Sequence, residues 1–259
     1  MSKLIEKLQK SLQPAAPAIG FKTRVDIPQS QVMPFIVAIS PENMDLITDI
    51  LMIGADALLL QINEKEQTKS TLPTLVNKVP GIPWGLFINH YSERQIEQAT
   101  AAGCDFIIFE AKDAPASLSE KSKIGKILMV NQAWHDGLVE TVGQIAVDAV
   151  ILDLHKETAL SMLHLMLCQY YADLTDKPLL AMVSPDINSD TMEALHKYGV
   201  AGVVIAVKTK SMLKQVANIY EMLSKLPPVK SKRKKKGGLV PSLSPLASFS
   251  TEDENEEEI

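Results

Sequence analysis

The sequence predicts an α/β protein built as a (β/α)8 barrel, eight parallel strands each followed by a helix. Three observations predict it. Eight short runs, nearly all apolar and seven of them ended by a polar residue, read as parallel strands buried on both faces. Most gaps between them space apolar residues by three and four, as a crossover helix packed on one side requires. The runs also form two alternating series, a fourfold β-α-β-α repeat with nothing left over, which favours a closed barrel over the alternative of a doubly wound open sheet.

At the N-terminus, Leu4, Ile5, Leu8 and Leu12 share one face of a short helix that Pro14 and Pro17 stop. Such a leading helix is expected to close the bottom of the barrel; docking to a partner is the alternative. Residues 20–31 are a polar connection, so 1–32 reads as the N-terminal helix and connection and 33–226 as the barrel.

The odd strands fall at 34–40, 83–89, 126–131 and 178–184, and the even strands at 54–61, 103–110, 147–153 and 200–207. Residues 44–52 read as the first crossover helix. Ser40-Pro41-Glu42 and Ser184-Pro185-Asp186 each offer an N-cap serine, a proline suited to the first helical position and an acid in the first turn. Gly54, Gly103 and Gly199 fit helix C-caps before an even strand. The polar stretch 111–123 is expected to be a short helix or a loop. Residues 134–145, with Gly137 and Gly143, should form a short helix. Residues 157–173 read as a full helix with Leu160, Leu163, Leu167 and Tyr171 on one side, and 211–226 as the helix that completes the barrel.

From residue 227 the composition changes. A basic block at 230–236 and an acidic block at 252–258, separated by Ser, Pro and Gly, cannot bury enough apolar surface to order themselves, so 227–259 is expected to be a disordered tail, basic then acidic. The net charge of −5 gives no general affinity for polyanions, and nucleic acid contact is expected only through the basic block.

The apolar fraction of 46% supports one large core, and no apolar run reaches the ~18 residues of a membrane span. Cys104 and Cys168 lie inside apolar elements without metal-ligand spacing, which suits a reduced interior. Lys3, Glu6 and Lys7 interrupt the N-terminus and argue against a secretory signal. A cytoplasmic protein is the expectation; oligomeric state is left open.

Barrel enzymes work at the C-terminal ends of their strands. A fixed offset along the even repeat gives Gln61, Glu110, Asp153 and Val207, and along the odd repeat Ser40, Asn89, Asn131 and Ser184. Seven of these eight are polar, as expected of a polar mouth above a packed barrel. Two residues further lie Asn63, Lys112, His155 and Thr209, with His90, His135, Lys156, Asp186, Lys208 and Lys210 nearby. Acids, imidazoles and lysines in one mouth could support proton transfer, a metal or an imine. The best divalent metal set is Glu110, Asp153 and His155, the imine candidate is Lys156, and an anion could be held by Lys208, Lys210 and the last helix's N-terminus. The loops 184–188 and 208–211 contain no glycine for a phosphate cradle, and no Gly-x-Gly-x-x-Gly supports a flavin or nicotinamide.

The Gly54-Ala55-Asp56 and Gly103-Cys104-Asp105 entries into even strands resemble those of the aldolase-type TIM-barrel superfamily, over about residues 33–226. The resemblance implies a fold and the place of a site, and carries over no catalytic residue. The resulting expectation is a lyase or isomerase acting on a small anionic metabolite. Glu110, Asp153, His155 and Lys156 are the catalytic candidates, and Ser40, Gln61, Asn89, Asn131, Ser184, Asp186 and Lys208 the substrate-binding ones. No cofactor is assigned, a divalent metal being the one considered. The rival expectation is a non-catalytic barrel that binds or scaffolds partners.

Overall fold

A computed structural model describes residues 2–12, 33–62, 79, 81–88, 93–120, 123–131, 133–157 and 159–227. Eight parallel strands form one closed barrel in sequence order: β1 (Phe35–Ile39), β2 (Ala57–Gln61), β3 (Trp84–Ile88), β4 (Phe106–Glu110), β5 (Gly125–Val130), β6 (Ala149–Asp153), β7 (Leu179–Val183) and β8 (Val200–Val207). Closure is the pairing of β8 with β1, in which Phe35 to Ile39 register with Val203 to Val207. That pairing decides against the open sheet.

Among the described residues the helices are α1 (Lys3–Ser11), α2 (Ile47–Ile53), α3 (Glu93–Ala101), α4 (Asp136–Gln144), α5 (Met162–Thr175), α6 (Ser189–Lys197) and α7 (Leu213–Ser224). Short 3₁₀ turns at Pro41–Leu46, Ala116–Glu120 and Lys210–Met212 precede or replace helical turns. The polar stretch after β4 is thus a 3₁₀ turn anchored by buried Leu118.

Alternation along each strand divides the core in two. One cluster lies between strands and helices; the other fills the barrel with Ile36, Ala38, Leu59, Phe106, Ile108, Ile127, Ile151, Leu180 and Val204 among others. Leu4, Ile5 and Leu8 of α1 belong to this inner cluster, so the leading helix plugs the bottom of the barrel. Two glycines seat it. A Cβ on Gly125 would lie 2.8 Å from Ser2, and one on Gly202 would lie 2.8 Å from Leu8.

The aspartates that enter the even strands hold this lower end together. Asp56 accepts from the Phe35 N–H (2.9 Å) and from Lys7 (2.9 Å), and Asp148 accepts from the Lys126 N–H (2.8 Å). Asp105 turns instead to the plug. It takes the Ser2 hydroxyl (2.8 Å) and the N–H groups of Lys3 (2.8 Å) and Leu4 (3.0 Å), donors that the first turn of a helix cannot satisfy internally. Charge here is architectural.

Gly54, Gly103 and Gly199 adopt φ of 108°, 89° and 100°, the left-handed conformation predicted for them. Two helix readings need correction. The cap of α6 is Asn188, whose Oδ1 accepts from the Thr191 N–H at 2.8 Å, so the helix starts beyond the expected Ser184 cap. The buried side of α5 is His164, Cys168, Tyr171 and Thr175, while Leu163 points out at 59% exposure. The polar groups on that side can turn inward because each has a partner: the Tyr171 hydroxyl donates to the Asn131 carbonyl (2.8 Å) and Thr175 to the Tyr171 carbonyl (2.7 Å).

None of the described helices is long and apolar enough to cross a membrane. The tail reading falls on residues 228–259, outside the described residues.

Candidate active site

The inward face of each strand, followed to its C-terminal end, arrives at the residues that the offset singled out. On β1, Ile36 and Ala38 lead to Ser40; on β2, Ala57 and Leu59 lead to Gln61; on β4, Phe106 and Ile108 lead to Glu110. On β5, Ile127 and Met129 lead to Asn131; on β6, Ala149 and Ile151 lead to Asp153; on β7, Leu180 and Met182 lead to Ser184. Asn89, with Asn63 and His90, lies outside the described residues.

On β8 the offset needs correcting. The pairing of β7 with β8 slips by one residue, joining Leu179 to Val200 and Leu180 to Gly202. A one-residue slip exchanges the two faces of a strand. Val207 therefore packs against the helices, while Val204 and Ala206 face inward and the next position on that face is Lys208. The rim is more regular than the repeat suggested: the inward series ends in a polar residue on β8 as well.

The side chains of the rim form pairs. Asp153 and His155 are joined by a contact between the Asp153 carboxylate and His155 Nδ1, and the His155 backbone N–H donates to the same oxygen at 3.2 Å. Both are partly open to solvent, at 29% and 34% of their side-chain area. An ionised carboxylate only accepts, so Nδ1 is the donor in this contact, and in a neutral ring Nε2 is then the nitrogen left without a proton. Glu110 pairs with Lys112 at 3.0 Å, and that carboxylate raises the pKa of the lysine. The two rim carboxylates thus each have a partner of their own.

The other candidates take other roles. Lys156 is exposed beyond the turn after β6, where no apolar wall removes water from its amine; desolvation of that kind is what an imine-forming lysine depends on. Asp186 accepts from Gln215 on α7 at 2.6 Å, an exposed contact. Asn131 is exposed, and its Oδ1 accepts from the Ala133 N–H at 2.8 Å, folding the loop after β5. Ser184 receives the Asp186 N–H at 3.4 Å, a comparable loop contact. His135 caps α4 by accepting from the Leu138 N–H at 3.2 Å, and Thr209 meets Ser211 at 2.9 Å. Among the described residues no three His, Cys, Asp or Glu side chains gather as a metal site, so Glu110 does not join Asp153 and His155 as a ligand set.

Two features were missed in the sequence. His164 on α5 accepts the Ser161 N–H at 2.9 Å and stands 3.8 Å from Glu157, closing the loop that carries His155. Phe87, Met129 and Ala206 pack against the barrel interior but are only partly buried, and they stand two residues before Asn89, Asn131 and Lys208 in the sequence. The capping role of His164 left no signal in the sequence, and neither did the partial exposure of these three, since the fully buried Ala38, Leu59, Ile108 and Ile151 stand at the same offset.

No protein-family model matches the chain, and no curated protein is similar to it in sequence. Solved structures are similar in fold. Tryptophan synthase from M. tuberculosis superposes with a TM-score of 0.58 at 13% identity, over 74% of this chain and 91% of that one. A mutant tryptophan synthase α-subunit from Pyrococcus furiosus gives 0.57 at 14%, over 73% and 97%. Thiamine phosphate pyrophosphorylase from Pyrococcus furiosus gives 0.57 at 14%, over 74% and 95%. At such identities the likeness establishes the TIM-barrel fold.

Proposed function

We propose that this chain is an enzyme of lyase or isomerase type that moves a proton on a small anionic metabolite at the C-terminal mouth of the barrel. The observation that carries the reading is the Asp153 and His155 pair at the end of β6. Asp153 fixes the tautomer and orients the ring, and His155 Nε2 is free to act as the base. Abstraction of a proton beside a carbonyl breaks the C–H bond and sends its electron pair to the carbonyl oxygen. The resulting imidazolium is stabilised by Asp153; as the carbonyl re-forms, it returns the proton to the same carbon, inverting or restoring it, or protonates a β-substituent whose bond to carbon breaks as that electron pair collapses. Lys208, exposed at the rim, supplies charge for the anionic group. The barrel neighbours named above are themselves enzymes, which supports an enzymatic reading at the level of fold.

The test is solvent-deuterium incorporation into a panel of anionic carbonyl compounds, 2-oxo acids and phosphorylated ketoses, followed by proton NMR. The wild type should exchange at least one, and His155→Gln and Asp153→Asn should each slow that exchange by about 10²-fold or more, the usual scale of general acid–base assistance. No exchange anywhere in the panel, with no compound raising the melting temperature, would refute the proposal.

One observation favours a binding or scaffolding protein instead. Met162, Leu163 and Met166 are exposed together on the first turns of α5, and clustered exposed apolar side chains commonly mark contact surfaces. Retained exchange activity in a triple serine variant would separate that surface from the chemistry.

A further inference from the structure

We infer that the metabolite has two parts, a carboxylate or phosphate group and a flat apolar body that lies on the floor of the mouth. This rests on the reading of the mouth as an anion-using active site and adds the rest of the molecule. The inner core of the barrel is otherwise fully closed: Ala38, Leu59, Ile108 and Ile151 are buried at 0% exposure. Among the described residues, Phe87, Met129 and Ala206 pack on the inner cluster yet remain partly exposed, each the last inward residue of its strand. They sit on β3, β5 and β8, directly below the polar rim.

Their placement shapes what can bind. Phe87 registers with Gln61 on one side and Ile108 on the other, and Met129 registers with Glu110. An aromatic ring and a thioether therefore flank β4, and the thioether's strand adjoins β6, which carries Asp153 at its end. Apolar surface left open to water at the base of a polar cup favours a ligand that covers it, and a ring face with a polarizable sulfur favours a flat one. Lys208, two residues above Ala206, has no carboxylate partner among the described residues, which leaves it available to the ligand's anionic group.

Isothermal titration against four probes tests this: benzoate against acetate, and phenyl phosphate against inorganic phosphate. In at least one of the two pairs the ring-bearing probe should bind about tenfold tighter than its bare partner, the gain from burying on the order of 60 Å² of apolar surface at ~25 cal/mol per Å². Which pair shows it distinguishes a carboxylate from a phosphate head. Phe87→Ala should abolish the ring advantage and leave the bare anion unchanged; Phe87→Leu, which keeps most of the volume, guards against a folding defect and should lose part of it. Lys208→Gln should weaken both members of the pair. Equal affinity within both pairs, or a ring advantage indifferent to Phe87, overturns the inference. Deuterium exchange with ring-free anions would leave the proposed chemistry standing while this inference fell; a ring advantage without exchange on any compound would do the reverse.

Discussion

Truncating Leu8 and Leu12 to alanine, one at a time, applies one chemical change to one helix in two environments. Leu8 is fully buried in the barrel interior beneath Gly202, whereas Leu12, the C-cap of the same helix, is 43% exposed. Leu8→Ala removes the transfer energy of the lost methyls and leaves a cavity that the barrel floor cannot collapse to fill, a loss of about 2–5 kcal/mol. Leu12→Ala gives up only part of the ~2 kcal/mol that full leucine burial contributes, and opens no cavity, so its cost should stay below about 1 kcal/mol. For a chain of this size each kcal/mol shifts the melting temperature by roughly 2–4 °C. A thermal melt followed by circular dichroism should therefore show Leu8→Ala at least about 4 °C below the wild type and Leu12→Ala within about 4 °C of it, with Leu8→Ala the lower. Equal shifts, or a larger one at Leu12, would refute the account of α1 as a plug.

Asp105→Ala should destabilise by about 2–4 kcal/mol in urea titration, since three donors at the start of α1 lose a shared charged acceptor. His196 is buried with its Nε2 donating to the Pro227 carbonyl at 3.1 Å, and burial lowers its pKa against smaller opposing effects of the Pro227 and Val200 carbonyls and Glu193. The unfolded chain binds that proton more readily, so this contribution is present above the unfolded value of 6.5 and falls away as the pH drops below it; melts at about pH 7.5 and 5.5 should show a smaller difference in His196→Phe than in the wild type. Borohydride treatment with pyruvate should leave Lys156 unmodified, because its amine is solvated; a reduced adduct detected by mass spectrometry would reinstate the imine. Removing residues 228–259 should leave the melting temperature unchanged, as expected of charge blocks that add nothing to a core, and a drop above about 5 °C would show that the segment packs on the barrel.

What the sequence determined by itself follows from solvent. A strand covered on both faces has to be apolar along its length and can turn polar only where it meets water, so the eight runs, and rim residues such as Ser40, Gln61, Glu110 and Asp153, were legible in one dimension. The same holds for Gly54, Gly103 and Gly199, because left-handed backbone selects glycine locally. The tertiary structure decided what depends on distant partners. Closure between β1 and β8 joins the first and last strands of the chain. The slip between β7 and β8 moved the eighth rim position from Val207 to Lys208, a matter of hydrogen-bond register that side-chain patterning does not encode on a strand apolar on both faces. The inward side of α5 kept Tyr171 as expected but took His164 and Thr175 in place of Leu163, with hydrogen-bond partners meeting them there. Likewise Glu110, Asp153, His155 and Lys156 looked equivalent as a polar cluster. Only the folded geometry gave Asp153 to His155 and Glu110 to Lys112, and left Lys156 in water, since a carboxylate's role is set by which donor lies within reach of it.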